Sequence, residues 1–155
     1  MKVCVLGSGS KGNCTLVESG KTALLIDAGF SGRDITRRLR AIGRSPESIT
    51  AVLVTHEHHD HIRGVGIFSR QAGVPVFVNG PTLRAAEKCL GRLRRLEEFG
   101  TGESFAAGNL QVHPFAVSHD TADPVGFVLT DGRFRVGYCT DTGKATTLIE
   151  HHLRR

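Results

Sequence analysis

The sequence predicts an α/β protein with helices packed on a mixed sheet. Short apolar runs rich in β-branched residues alternate with stretches of helical spacing. Nineteen glycines in 155 residues imply many tight turns, which suit short strands better than a helical bundle. The pair Asp131-Gly132 between two apolar runs is a hairpin signal. The length suits one compact domain, expected to span residues 1–155.

The elements follow in order. Val3–Leu6 is a strand that runs into the loop Gly7-Ser8-Gly9-Ser10-Lys11-Gly12-Asn13. Cys14–Glu18 returns, Gly20-Lys21 turns, and Thr22–Ile26 is an apolar strand stopped by Asp27-Ala28-Gly29. Ser31, with Asp34 three residues on, starts a helix in which Ile35, Leu39 and Ile42 share a face and Gly43 closes. Pro46 begins a short turn before a strand over Ile49–Thr55. His56–His61 reads as a loop, and Ile62–Ala72 as a helix weakened by Gly64 and Gly66. Val74–Val78 is a strand, Asn79-Gly80-Pro81 a turn, and Thr82–Leu96 a strongly basic helix with Gly91 as its flaw. Leu110–Val117 is a strand that Pro114 marks as an edge or a bulge. Val125–Thr130 and Arg133–Tyr138 form the hairpin, and a last helix begins near Thr146.

Twenty basic and fifteen acidic side chains leave a net charge of +5. That favours an anionic partner only mildly, since an ordinary basic surface gives the same figure. Arg84, Lys88, Arg92, Arg94 and Arg95 on the second long helix form either a basic face for a nucleic-acid backbone or a plain solvated surface. The four cysteines are scattered, with no CxxC pair, which fits a reduced intracellular protein. No stretch approaches the ~20 apolar residues of a membrane span, and the N-terminal apolar run is too short for a signal peptide, so the expected location is the cytoplasm.

Chemistry concentrates in Thr55-His56-Glu57-His58-His59-Asp60-His61, where four histidines and two carboxylates occupy six consecutive residues. Neutral imidazole and carboxylate are the usual ligands of zinc, iron and manganese. In extended chain His56 and His58 point the same way and can share one metal ion. A turn at Asp60-His61 would aim both at a second. His59 and Glu57 point elsewhere and are left out of direct ligation. Burying so many polar groups without a partner would cost several kcal/mol.

The motif His56-x-His58-x-Asp60-His61 resembles the HxHxDH signature of the metallo-β-lactamase superfamily. The Ser8–Cys14 loop, Ile26-Asp27-Ala28-Gly29, Ser118-His119-Asp120 and Thr140-Asp141-Thr142-Gly143 follow in the order of its WalJ-type, exonuclease-like branch. The resemblance implies an αββα sandwich, here the N-terminal half plus part of the second sheet. It implies two divalent metal ions, zinc first, with manganese or iron also fitting. His56, His58 and His119 would hold one ion, Asp60 and His61 the other, and Asp141 would bridge them. Alone, His119 would read as an ordinary histidine and Asp141 as a cap or turn residue. Asp27 is either an Asx turn or a carboxylate orienting the metal ligands from behind. The loop carrying Ser10 and Asn13 is either a Gly-rich turn or a cradle for a substrate phosphate.

Such proteins continue further, to another strand, an Asn-containing loop and a late histidine on the second metal. His151 and His152 stand at the wrong place for that histidine and read as a solvated helix end. A fragment or a natural truncation is the expectation, with self-association through the incomplete sandwich face. The function implied is a metal-dependent hydrolase, a phosphodiesterase or nuclease using metal-bound hydroxide with Asp60 as catalytic carboxylate, and a nucleic acid or a small phosphodiester as substrate. Acyl hydrolysis of a thioester, lactone or β-lactam is the alternative, and a non-catalytic metal- and nucleic-acid-binding module is a third reading.

Overall fold

A computed structural model describes residues 1–154 as four layers in the order helix, sheet, sheet, helix. The first sheet holds six strands side by side in chain order: β1 (Lys2–Gly7), β2 (Cys14–Ser19), β3 (Thr22–Ile26), β4 (Ala51–Leu53), β5 (Pro75–Asn79) and β6 (Arg95–Phe99). β1 to β3 run antiparallel, and β3 to β6 run parallel. Each parallel step needs a crossover. The crossovers are α1 (Gly32–Ala41), then α2 (His59–Ile62) with α3 (Val65–Ala72), then α4 (Gly80–Leu90). The second sheet is antiparallel, in the order β10 (Arg135–Tyr138), β9 (Val125–Thr130), β8 (Leu110–Ala116), β7 (Phe105–Ala107). The closing helix α5 (Thr147–Leu153) lies on its outer face, with Ile149 packed among Phe115, Val117 and Val128.

Alternation along the central strands explains why Thr22–Ile26 is buried throughout. Ala23 and Leu25 face the helices with Ile35, Leu39 and Phe68, while Leu24 and Ile26 face Phe127, Val112 and Leu129 of the second sheet. Asp131, in the β9–β10 turn, also ties the two sheets. Its carboxylate accepts the Ser19 hydroxyl at 2.5 Å and the backbone N–H groups of Arg133 and Phe134 at 3.0 and 2.7 Å. Among the described residues no helix is long and apolar enough to cross a membrane.

Several local expectations are corrected. The helix expected over Thr82–Leu96 starts earlier, with Asn79 as its N-cap accepting from Thr82 N–H, and ends at Leu90. Gly91 (φ 56°) breaks it, and the chain turns into edge strand β6. Arg92, Arg94 and Arg95 therefore do not lie on the helix with Arg84 and Lys88. The helix expected over Ile62–Ala72 is two pieces, α2 and α3, and α2 takes in part of the segment read as a loop. The strand expected over Ile49–Thr55 is confined to Ala51–Leu53. Pro114 sits in β8, an inner strand, where β7 reaches only to Val112. On that side its carbonyl accepts from Gly102 N–H at 2.9 Å, and the missing proline N–H faces no strand. His152 is half-buried, its ring stacked on Phe115 with centroids 4.9 Å apart, so the helix end is not merely solvated.

Candidate metal centre

Four strand ends and one loop build the site. β3 ends at Asp27, β4 delivers Thr55 and His56, β8 leads to His119, and β10 leads to Asp141. The Gly9–Asn13 loop closes over one side. Backbone hydrogen bonds stitch these pieces together: Asn13 N–H to the Asp60 carbonyl (2.8 Å), Ala28 N–H to His61 (2.8 Å), Gly29 N–H to Asn13 (2.9 Å) and Gly64 N–H to Ala28 (2.8 Å). Gly29 is required by this closeness, because a Cβ there would overlap the Asp60 carbonyl. The His119 loop is held by Asp123, whose carbonyl accepts from Asn79 (2.8 Å) and whose carboxylate accepts the Thr101 hydroxyl (2.7 Å). Gly143 N–H reaches the Ser118 carbonyl at 3.0 Å and ties the Asp141 loop to the His119 loop.

Asp27 is fully buried and has three donors. Thr55 N–H and the Thr55 hydroxyl reach it at 2.9 and 2.8 Å, and His61 Nδ1 lies at 2.7 Å. The Thr55 hydroxyl gives its proton to Asp27, so it accepts from His56 Nδ1–H at 2.9 Å. One carboxylate thus fixes two imidazoles with Nδ1 protonated and Nε2 left as a lone pair. His56 Nε2 is buried with no hydrogen-bond partner. His61 Nε2 lies 2.6 Å from Asp141 Oδ2 and 3.7 Å from Asp60 Oδ2. Two lone-pair atoms facing each other at 2.6 Å need a cation between them, a proton or a metal ion.

Two sets of donor atoms converge. Those of His56, His58 and His119 lie within 4.8 Å of one another, and so do those of His56, His61 and Asp141. His58 Nδ1 and His119 Nε2 are 3.1 Å apart. Burial pulls the His56 imidazole down to about 3, with His61 and His58 adding to the effect, so it presents a neutral ligand nitrogen. Burial also opposes charge on His61, but the Asp27 hydrogen bond and the charges of Asp27, Asp141 and Asp60 outweigh it and raise that group. These are the features expected of a metal-ligating histidine backed by a carboxylate. The donor set, with its orphaned buried nitrogen, fits divalent metal.

Asp60 stands beside His61 but outside both converging sets. Its carboxylate accepts from the Asn13 amide at 3.1 Å. Asn13 also lies 3.0 Å from His61 Nε2, and its side chain both accepts from and donates to Gly9. Ser10 is exposed at the loop tip, and among the described contacts its side chain reaches none of these groups. His59 points outward, with Nδ1 3.9 Å from Cys89 Sγ. Glu57 turns away from the histidines and accepts Ala122 N–H at 2.7 Å, bracing the His119 loop. Sequence reasoning passed over Thr55, although a lone hydroxyl ending the apolar run Ala51–Val54, directly before His56, was the available signal. Among the described residues Asp27 (φ 60°) and Asp141 (φ 47°) are the two non-glycine residues with left-handed backbone, and both belong to the site.

Residues 7–153 match the metallo-beta-lactamase superfamily. The chain is similar to the exodeoxyribonuclease WalJ of Streptococcus pneumoniae, 40% identical over 148 residues that cover 92% of this chain and 54% of that protein. It is 35% identical over 141 residues to the exodeoxyribonuclease YycJ of Bacillus anthracis, covering 90% of this chain and 53% of that one. The chain therefore spans about half the length of these relatives. Among solved structures, the metallo-beta-lactamase fold protein YhfI of Bacillus subtilis superposes with a TM-score of 0.73 at 21% identity, covering 90% of this chain and 62% of that one. A match running from the first glycine turn to the last helix, over the same layered fold, makes this chain a member of the metallo-beta-lactamase superfamily.

Proposed function

We propose that the chain carries the metal centre of a phosphodiester-cleaving hydrolase with nucleic acid as its substrate class. One observation carries this reading: five ligand-type side chains from three separate strand ends bring their donor atoms together around a nitrogen that has no partner. The resemblance to two exodeoxyribonucleases supports the substrate class. His56, His58 and His119 would hold one ion, and His61 and Asp141 a second with Asp60 at its edge. Zinc is the first choice, and manganese or iron suits the same donors. When bound, such ions lower the pKa of water toward neutrality and neutralise charge on a phosphoryl oxygen.

The chain's own residues do the rest. Asp27 holds His56, through Thr55, and His61 in the tautomer that exposes Nε2. Asn13 orients the Asp60 carboxylate at the rim of the cluster, where it can take a proton from an attacking water. The buried Asp27–Thr55 floor keeps bulk solvent away from the inner nitrogens. The four cysteines are free, in keeping with a cytoplasmic location.

The test is hydrolysis of bis-p-nitrophenyl phosphate against a thioester, with zinc or manganese supplied. Phosphodiester turnover that is lost in His58→Ala supports the reading. Thioester turnover alone moves the chain to acyl chemistry. Metal binding with no turnover of either makes it a binding module.

A further inference from the structure

Charge is divided unevenly between the layers. Residues 31–49, 63–72 and 80–95, which hold α1, α3 and α4 with their flanks, carry twelve of the twenty basic side chains and three of the fifteen acidic ones. The remainder holds eight basic and twelve acidic side chains. A chain of net charge +5 thus has these three segments at +9 and a remainder at −4.

Much of this positive charge is uncompensated. Arg37 pairs with Asp34, Arg44 with Glu18 and Arg95 with Glu97. Arg33, Arg40, Arg63, Arg70, Arg92 and Arg94 are exposed with no carboxylate within 4.0 Å among the described residues. Arg33, Arg37 and Arg40 follow one face of α1, separated along the axis by about 6 and then about 4.5 Å. With Asp34, Thr36 and Gln71 they line a groove of about 530 Å³ between α1 and α3. Next to Gln71, Arg70 joins Arg92, Leu93 and Arg94 around a second hollow of about 200 Å³. α3 lies between them: Gln71 sits against Gly32 of α1, and Arg70 sits beside Gly66, which also meets Leu90 of α4, so the cations run as a band over three helices. Arg70 is braced by its own hydrogen bond to the Arg92 carbonyl at 2.5 Å.

We propose that this band is a docking surface for the phosphate backbone of a DNA duplex, separate from the metal centre. The proposal rests on the phosphodiesterase reading for its biological sense. Eleven of the twelve cations are arginine, whose planar fork grips phosphate through two parallel hydrogen bonds. Among the described residues no Phe or Tyr is exposed on this layer; Phe134, the exposed one, lies on the β9–β10 turn. Single-strand binders stack bases on aromatic rings, so this face reads backbone alone. Its exposed large apolar residues are the isolated Ile42 and Ile67, too few for insertion into a lipid surface.

The experiment measures binding of a fluorescein-labelled random-sequence DNA duplex to the full chain in chelator, from about 50 to about 200 mM salt. Two triple variants are compared with wild type: Arg33→Gln/Arg37→Gln/Arg40→Gln and Arg70→Gln/Arg92→Gln/Arg94→Gln. Each should weaken binding about tenfold or more and reduce the log–log salt slope by about 2.7, at about 0.9 for each of three lost phosphate contacts. Lys2→Gln/Lys21→Gln should change neither, and all variants should melt with wild type. Wild type that ignores the duplex, or triple variants that bind as wild type, overturns the proposal. So does tighter binding of the same single strand, or of phosphatidylserine vesicles, that the triple variants abolish. Turnover of bis-p-nitrophenyl phosphate, measured separately with metal, reports on the metal centre alone. Its failure would sink the phosphodiesterase reading and leave the binding result standing.

Discussion

Thr55→Val is the sharpest perturbation of the site, because it keeps shape and removes one hydroxyl. Thr55 is 1% exposed, and its hydroxyl links Asp27 to His56. The variant loses a hydrogen bond to a buried carboxylate, about 1.5–3 kcal/mol, and strands His56 Nδ1–H, about 1–3 kcal/mol. The two losses share one group and do not fully add, and the extra methyl offsets part of them. A net destabilisation of about 2–4 kcal/mol follows, or a melting shift of about 5–15 °C at this chain length. Circular dichroism melts of the metal-free protein read this directly. Zinc affinity, by competition with a chromophoric chelator, should fall about 10- to 100-fold, as is typical when support behind a ligand is lost. Thr55→Ser keeps the hydroxyl and should stay near wild type in both readouts. A melting shift below about 2 °C in Thr55→Val, or equal losses in Thr55→Ser, would refute the relay.

Phe127→Ala removes a fully buried ring between the two sheets and should cost about 3–5 kcal/mol by urea unfolding; a loss under about 1 kcal/mol would mean that the sheets pack otherwise. Asp131 is held down to about 2, first by the Ser19 hydroxyl and then by the Phe134 and Arg133 N–H groups. Its stabilising effect is therefore present above the ordinary carboxylate value of 3.8 and is lost as pH falls from there to about 2. Asp131→Asn should lower the urea midpoint at neutral pH and flatten its decline across that acid window, and an unchanged acid limb would contradict the assignment. Zinc at a hundredfold excess over its dissociation constant should stabilise the fold by about 2.7 kcal/mol, read as a higher melting temperature that chelator reverses. No shift would mean that the converging histidines do not bind it.

The parts legible in sequence are those where local pattern and tertiary role agree. The run Thr22–Ile26 announces a strand buried on both faces, and Ser31 with Asp34 announces a helix start; its hydroxyl accepts Asp34 N–H at 3.2 Å. The His56–His61 segment declares its chemistry through density alone. β6 was hidden because it is an edge strand with only Phe99 buried, so its charges at Arg95, Glu97 and Glu98 mimicked a solvated helix. The split at Gly64 was hidden because it depends on the Phe30 carbonyl, which a Cβ at Gly64 would overlap. His119 and Asp141 lie far along the chain from the motif, and nothing local marks them; only their order in a familiar pattern did.

The left-handed backbone at Asp27 and Asp141 has a consequence for how this site tolerates change. Most L-residues pay ~1–2 kcal/mol to sit there, whereas Asn, Asp and Gly do so readily. Drift at these two positions is therefore filtered by backbone before any chemistry is consulted. An alanine scan would charge both penalties to the carboxylate and exaggerate its importance. Asparagine, which keeps the backbone and drops the charge, and glycine, which relaxes the backbone and drops the side chain, divide the two contributions cleanly. At Asp141, 40% exposed and within 4.0 Å of the buried His56 and His61 nitrogens, asparagine should hold the fold near wild type while weakening metal binding.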